Sequence, residues 1–147
     1  MDFDARTLWS LVFVIAAAMG LKYLPRWQAR SPFVGPEVLK ALLDEGRDIV
    51  VLDVRTTGEV AVKGLVPGAT HVAMGDLQAR LRARDRELDT LKDQAIWVYC
   101  HREGRAARAA RMLRDAGFTN VSVLQGGFIG WKRKGYPTER STAASSP

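Results

Sequence analysis

Only one cysteine and two histidines occur in the 147 residues. A single thiol cannot close an intrachain disulfide. Cys100 with His71 and His101 is also too small a set for a dense zinc or iron–sulfur site, so no metal is expected. There is no internal repeat. Hydrophobic residues at 47% and charged residues at 26% exclude a disordered or collagen-like chain. Arg102, Arg105, Arg108 and Arg111 recur every three residues, with Arg114 after them, but no aromatic platform alternates with them. Single-stranded nucleic acid is therefore not an expected partner. The basic face reads first as solvated, with lipid headgroups ahead of RNA as a binding alternative. The net charge of +6 does not by itself choose a partner.

A long apolar stretch lies at the N-terminus. The 14 residues Leu8–Leu21 (LWSLVFVIAAAMGL) carry no charge, and extension to Leu24 adds only Lys22, whose stem can snorkel. A helix over 7–24 would be about 27 Å long at 1.5 Å per residue, close to a hydrocarbon core of about 30 Å. Trp9, Tyr23 and Trp27 stand where an aromatic belt belongs, and Pro25 is expected to stop the helix. A cleaved signal peptide fits less well, because Asp2 and Asp4 offset Arg6 and the amino terminus. A buried core helix would need a polar face, which only Ser10 offers. The reading is a single-pass anchor in the cell membrane, with the lipid bilayer as a partner. Arg6 precedes the span and Lys22, Arg26 and Arg30 follow it, which places the remaining domain in the cytoplasm. The expected boundaries are an extracytoplasmic tail over 1–6, the span over 7–24, a linker over 25–32, one domain over 33–137 and a flexible tail over 138–147.

Within the domain, helices and strands alternate. Pro36 starts a helix with Val38, Leu39, Leu42 and Leu43 on one stripe. Ile49–Leu52 is an apolar run bounded by charge, which suggests a strand buried on both faces. Ala69–Ala73 follows a Pro67-Gly68 turn as a short strand. Asp76 is placed to cap a helix carrying Leu77, Leu81, Leu88 and Leu91. Ile96–Tyr99 is a buried strand, residues 104–116 are helical, Val121–Leu124 is a strand and residues 128–134 close the domain as a helix. Such alternation implies parallel βαβ units and an α/β fold, with ligands beyond the carboxyl ends of the strands.

Cys100 falls at such an end. It follows Ile96–Tyr99 directly, and His101-Arg102-Glu103-Gly104-Arg105 leads into the next helix. Backbone amides, a helix N-terminus and two arginines surround a thiol there, and each favours negative charge. The expectation is a depressed thiol pKa and a standing population of thiolate. Gly104 is expected to let the loop turn without a Cβ in the way. The competing reading is a small buried hydrophobe, which is common for free cysteine.

Four ordered motifs resemble the rhodanese (thiosulfate sulfurtransferase) family. Leu52-Asp53-Val54-Arg55 resembles L-D-V-R, and Gly64-Leu65-Val66-Pro67-Gly68-Ala69 resembles G-H-I-P-G-A. Cys100 to Arg105 resembles the active-site loop, a cysteine, four residues and an arginine. Leu124-Gln125-Gly126-Gly127 through Trp131 resembles L-x-G-G-x-x-x-W. The resemblance implies a three-layer α/β fold, a central parallel sheet flanked by helices, here preceded by one transmembrane helix. It implies a sulfane sulfur moved from thiosulfate or a persulfide to a thiol acceptor, which can be a protein thiol, with Cys100 as nucleophile and His101, Arg102, Glu103, Gly104 and Arg105 as the loop that cradles the persulfide. It implies no metal or organic cofactor. The longer Cys-x5-Arg loop of cysteine phosphatases and arsenate reductases holds a tetrahedral oxyanion, so the shorter loop ranks sulfur transfer above ester hydrolysis.

Three positions depart from the family pattern: His101 stands in place of arginine, Glu103 in place of glycine, and Leu65 in place of histidine. A carboxylate at Glu103 is expected to weaken attraction for thiosulfate, which raises persulfide donors to comparable standing. Asp53 and Arg55 lie at the end of the neighbouring strand as supporting residues that could face the Cys100 loop, although a structural pair such as Arg55 with Glu59 is the plainer expectation. Trp131 is expected to pack beneath the loop. The alternative to the enzyme is a non-catalytic rhodanese-like module that recruits a partner at the membrane.

Overall fold

Strand periodicity organises the domain around one sheet. The computed structural model describes residues 5–140, with side chains for 7–20 and 30–140. Five strands, β1 (Phe33–Val34), β2 (Val50–Asp53), β3 (Thr70–His71), β4 (Ile96–Tyr99) and β5 (Val121–Leu124), lie in the order β1-β5-β4-β2-β3, and every pairing is parallel. Successive side chains on a strand point to opposite faces. Ile96, Val98 and Cys100 therefore enter one core, and Trp97 and Tyr99 the other.

Helices cover both faces. On the Cys100 side lie α4 (Met74–Arg82), α5 (Arg86–Asp89) and α6 (Gly104–Asp115), through Leu77, Leu88 and Leu113. Four buried alanines, Ala106, Ala107, Ala109 and Ala110, let α6 seat closely on the sheet. On the other side lie α2 (Pro36–Asp44) and α7 (Gly127–Arg133), through Leu39, Phe128 and Trp131. Pro36 opens α2 at a position where its missing N–H has no helical partner to lose. The central parallel sheet between helical layers is the expected α/β architecture.

Three local features differ from the expectation. The stretch expected to form one helix after Asp76 is two, because Arg84 takes a left-handed φ of 50° and Asp85 caps α5 by accepting from the Glu87 and Leu88 amides. Ala73, not Asp76, stands at the N-cap of α4. Residues 57–63, for which no element was expected, form α3 (Thr57–Lys63), started by a reciprocal capping box between Thr56 and Glu59.

The membrane reading is corrected. The first helix, α1 (Ala5–Ala29), runs through Pro25 rather than stopping there. Among the described residues no helix is long and apolar enough to cross a membrane. The reason is length: the charge-free run Leu8–Leu21 rises only about 21 Å at 1.5 Å per residue, short of a core of about 30 Å. Extension past Leu21 brings in Lys22 and then Arg26. The single-pass anchor, the cytoplasm-facing topology drawn from it and the lipid bilayer as a partner lose their basis. The extracytoplasmic tail as far as Asp4, the side chains of Lys22, Tyr23, Arg26 and Trp27, and most of the C-terminal tail lie outside the described residues. Beyond α1, Arg30 pairs with Asp115 at 3.7 Å and Ser31 accepts from Arg114 Nε at 3.3 Å, so the chain enters the domain along α6.

Candidate active site

The Cys100 loop joins the end of β4 to the start of α6, and three ties to neighbouring elements fix its shape. The first is the turn before α7. The Phe128 amide donates to the Cys100 carbonyl at 2.8 Å and the Ile129 amide to the His101 carbonyl at 3.2 Å. The approach is so close that a Cβ on Gly127 would stand 1.9 Å from the Arg102 carbonyl oxygen and 2.7 Å from that of Cys100. Gly127 also has a φ of 57°, where a side chain is strained. The second glycine of the Gly-Gly motif is thus required by contact with the cysteine loop itself.

Glu103 supplies the second tie. Its Oε1 accepts from the Gly126 amide at 2.8 Å. The carboxylate expected to repel a dianion is therefore engaged with the α7 turn and fastens the loop to it. The third tie is Arg105, whose Nη1 and Nη2 donate to the two oxygens of Glu59 at 2.6 and 2.7 Å. This bidentate pair, with the Thr56 cap, holds the Glu59 carboxyl well below the usual carboxylate range. The expected Arg55–Glu59 pair does not form; Glu59 belongs to the loop arginine. Glu59 was missed as a site residue, although Thr56-x-x-Glu59 is a legible capping-box signal.

Asp53 and Arg55 sit fully buried behind the loop. Arg55 Nη2 and Nε donate to Asp53 Oδ2 at 2.6 and 3.0 Å, and Nη2 also donates to the Gly64 carbonyl at 2.6 Å. The guanidinium carbon lies 3.9 Å from the centre of the Phe128 ring. The pair thus braces the residue whose amide holds the Cys100 carbonyl. Tyr99 adds to this cluster, with its hydroxyl accepting from the Val66 amide at 3.1 Å. Trp131 is buried as expected and donates to the Pro137 carbonyl at 2.7 Å.

The electrostatics of the thiol differ from the expectation. Cys100 is 2% exposed, and burial pushes its pKa up. Hydrogen bonds from the backbone N–H groups of Ala106, Arg102 and Arg105, together with the Arg105 charge, act in the opposite direction without overcoming it. The resting sulfur is thus a protonated thiol at neutral pH, surrounded by donors already aimed at it. His101 is half-buried; burial and the nearby Lys63 charge lower its pKa, so its ring is neutral at pH 7. Arg102 and Gly104 are exposed. A Cβ on Gly104 would meet nothing within 4 Å, and the residue begins α6 without a left-handed φ, so the loop does not depend on glycine there.

Comparison with known proteins adds four findings. Residues 35–134 match the family model of the rhodanese-like domain. A sulfurtransferase of Allochromatium vinosum is 30% identical over 104 residues, which is 71% of this chain and 91% of that protein. Among solved structures, the thiosulfate sulfurtransferase of Pseudomonas aeruginosa superposes with a TM-score of 0.69 at 27% identity, covering 86% of this chain and 24% of that one. A protein of unknown function from Rhodopseudomonas palustris, described as a possible tyrosine phosphatase, superposes with a TM-score of 0.71 at 26% identity, covering 82% of this chain and 94% of that one.

Proposed function

This chain belongs to the rhodanese-like family, and we propose that it is a sulfurtransferase carrying a sulfane sulfur on Cys100 as a persulfide. The observation that carries the reading is the set of three backbone amides, from Arg102, Arg105 and Ala106, that bond to the Cys100 sulfur inside a loop of four residues between cysteine and arginine. Donors fixed in place before charge develops stabilise it without reorganisation. The loop length favours a single sulfur atom over a tetrahedral phosphoryl group.

The chemistry balances without a redox partner. The Cys100 sulfur attacks the outer sulfur of the donor. A new S–S bond forms at Cys100, and the donor's own bond to that sulfur breaks. The thiol proton leaves with the departing group, which is hydrogen sulfite from thiosulfate or a thiol from an organic persulfide. The terminal sulfur on Cys100 is then anionic, the state the amides favour. An acceptor thiolate attacks that terminal sulfur, and Cys100 departs and regains a proton.

A second reading has one observation in its favour. The near-complete burial of Cys100 and its raised pKa suit a non-catalytic module that holds a partner. The two separate in steady-state assays of the full chain with thiosulfate or an organic persulfide and a thiol acceptor. Transfer is expected, and Cys100→Ser is expected to abolish it. Failure with every donor, or activity retained in Cys100→Ser, would overturn the proposal.

A further inference from the structure

Every position from 7 to 20 of α1 is exposed, yet the run holds no charged side chain and only Thr7 and Ser10 are polar. Eight of its side chains are large and apolar, and each is at least half exposed. Elsewhere among the described residues only Val38 and Val62 are large hydrophobics so exposed. Trp9 and Phe13, at 73% and 75% exposure, present roughly 300 Å² between them. The eight together present on the order of 800 Å², whereas the largest apolar patch of a typical monomer is about 300–600 Å². A lone helix is marginal in water, and helices in proteins draw most of their stability from packing an apolar face. Surface of this kind marks an interface.

The spacing within the run says what fits it. Leu8, Val12, Ile15 and Met19 follow one another at intervals of four, three and four residues, the alternation of d and a positions in a heptad repeat. A β-branched residue at a with Leu at d, as in Val12 beside Leu8, is the choice that favours two strands. Trp9 and Leu11 flank this seam, and one heptad later Ala16 and Ala18 hold the same flanks and let a second helix come close. Ser10 falls on the far side, where its hydroxyl donates to the Thr7 carbonyl at 2.8 Å. No charge in the run selects a foreign partner, and a second copy of the helix supplies a seam of identical spacing. The seam and its two large flanking residues account for roughly 600 Å², so a pair of copies buries about 1,200 Å², the lower edge of a standard interface. We propose that α1 is a dimerisation helix, pairing along Leu8, Val12, Ile15 and Met19 with α1 of a second copy of this chain. The proposal is independent of the sulfur-transfer reading, because the seam contains no residue of the Cys100 site.

The test is sedimentation equilibrium of the full chain over a range of concentrations. A mass twice that of the chain is expected. Combining Val12→Glu with Ile15→Glu places like charges in the seam and is expected to raise the dissociation constant at least about tenfold. Val62→Glu, on exposed α3, is expected to leave it unchanged. A second measurement uses the full chain carrying Cys100→Ser, in which a cysteine at position 12 (Val12→Cys) is expected to form a disulfide-linked dimer on mild oxidation and one at position 62 (Val62→Cys) is not. A wild-type chain that is monomeric or forms particles of any other mass overturns the proposal. So does a dimer unaffected by the Val12→Glu/Ile15→Glu change, or equal cross-linking from positions 12 and 62.

Discussion

Replacing Asp53 with alanine tests how the site is braced. Asp53 accepts from the Arg55 amide at 3.0 Å and from the Arg55 Nε and Nη2 groups at 2.6–3.0 Å, and both side chains are 0% exposed. In Asp53→Ala the Arg55 guanidinium keeps its hydrogen bond to the Gly64 carbonyl and the face of Phe128, but loses its counter-ion. Its Nη1 already lacks a partner. A buried cation stripped of its counter-ion costs about 3–5 kcal/mol, whereas an exposed pair of the same composition is worth about 0–1 kcal/mol. Against a total stability of about 5–15 kcal/mol the loss is a large share. Urea denaturation followed by Trp fluorescence measures it, with Arg55→Met and the double variant completing a cycle. The double variant is expected to be far more stable than the sum of the single changes implies, because no orphaned charge remains. A cost under about 1 kcal/mol for Asp53→Ala, or simple additivity in the cycle, would refute the account of the pair.

Other outcomes follow from the same geometry. Gly127→Ala forces a left-handed φ worth about 1–2 kcal/mol and drives a Cβ into the Arg102 carbonyl. It is expected to lower the melting temperature and to slow sulfur loading in a rapid-quench assay, while Gly104→Ala leaves both near wild type. Glu59 is held below its ordinary pKa, so its contribution to stability is complete above about pH 4.5 and is lost as pH falls toward the folded value. Glu59→Gln is therefore expected to flatten the decline of stability below that pH, measured by denaturation at a series of pH values. Cys100 is held above its ordinary pKa, so its alkylation by iodoacetamide is expected to rise with pH through a midpoint above about 8.5. Arg105→Ala is expected to move that midpoint higher, and a midpoint below the ordinary value would contradict the assigned burial.

Much of the fold was legible because it is written in short-range pattern. Ile96–Tyr99 reads as a buried strand, Gly104–Asp115 as the helix after it, and the parallel sheet follows from the alternation. What was not legible depends on contacts distant in sequence. The strand-to-helix loop looked open because its residues are polar and basic; it is closed by Gly127 and Phe128, which arrive more than twenty residues later. That closure buries the sulfur and reverses the expected direction of its pKa. Glu59 was overlooked because its capping box was not recognised as a helix start, and its partner Arg105 lies 46 residues away. The left-handed turn at Arg84 has no glycine to announce it, so two helices read as one. For α1 the apolar character is plain, but the charge-free run ends at Leu21, and the reach to Leu24 depends on counting Lys22 into the span.

The most direct measurement is the intact mass of the full chain after brief exposure to thiosulfate or to glutathione persulfide. The account predicts a gain of one sulfur atom that maps to Cys100, disappears on addition of an acceptor thiol and is absent from Cys100→Ser. A chain whose mass is unchanged after every donor, while its fold stays intact, would contradict it.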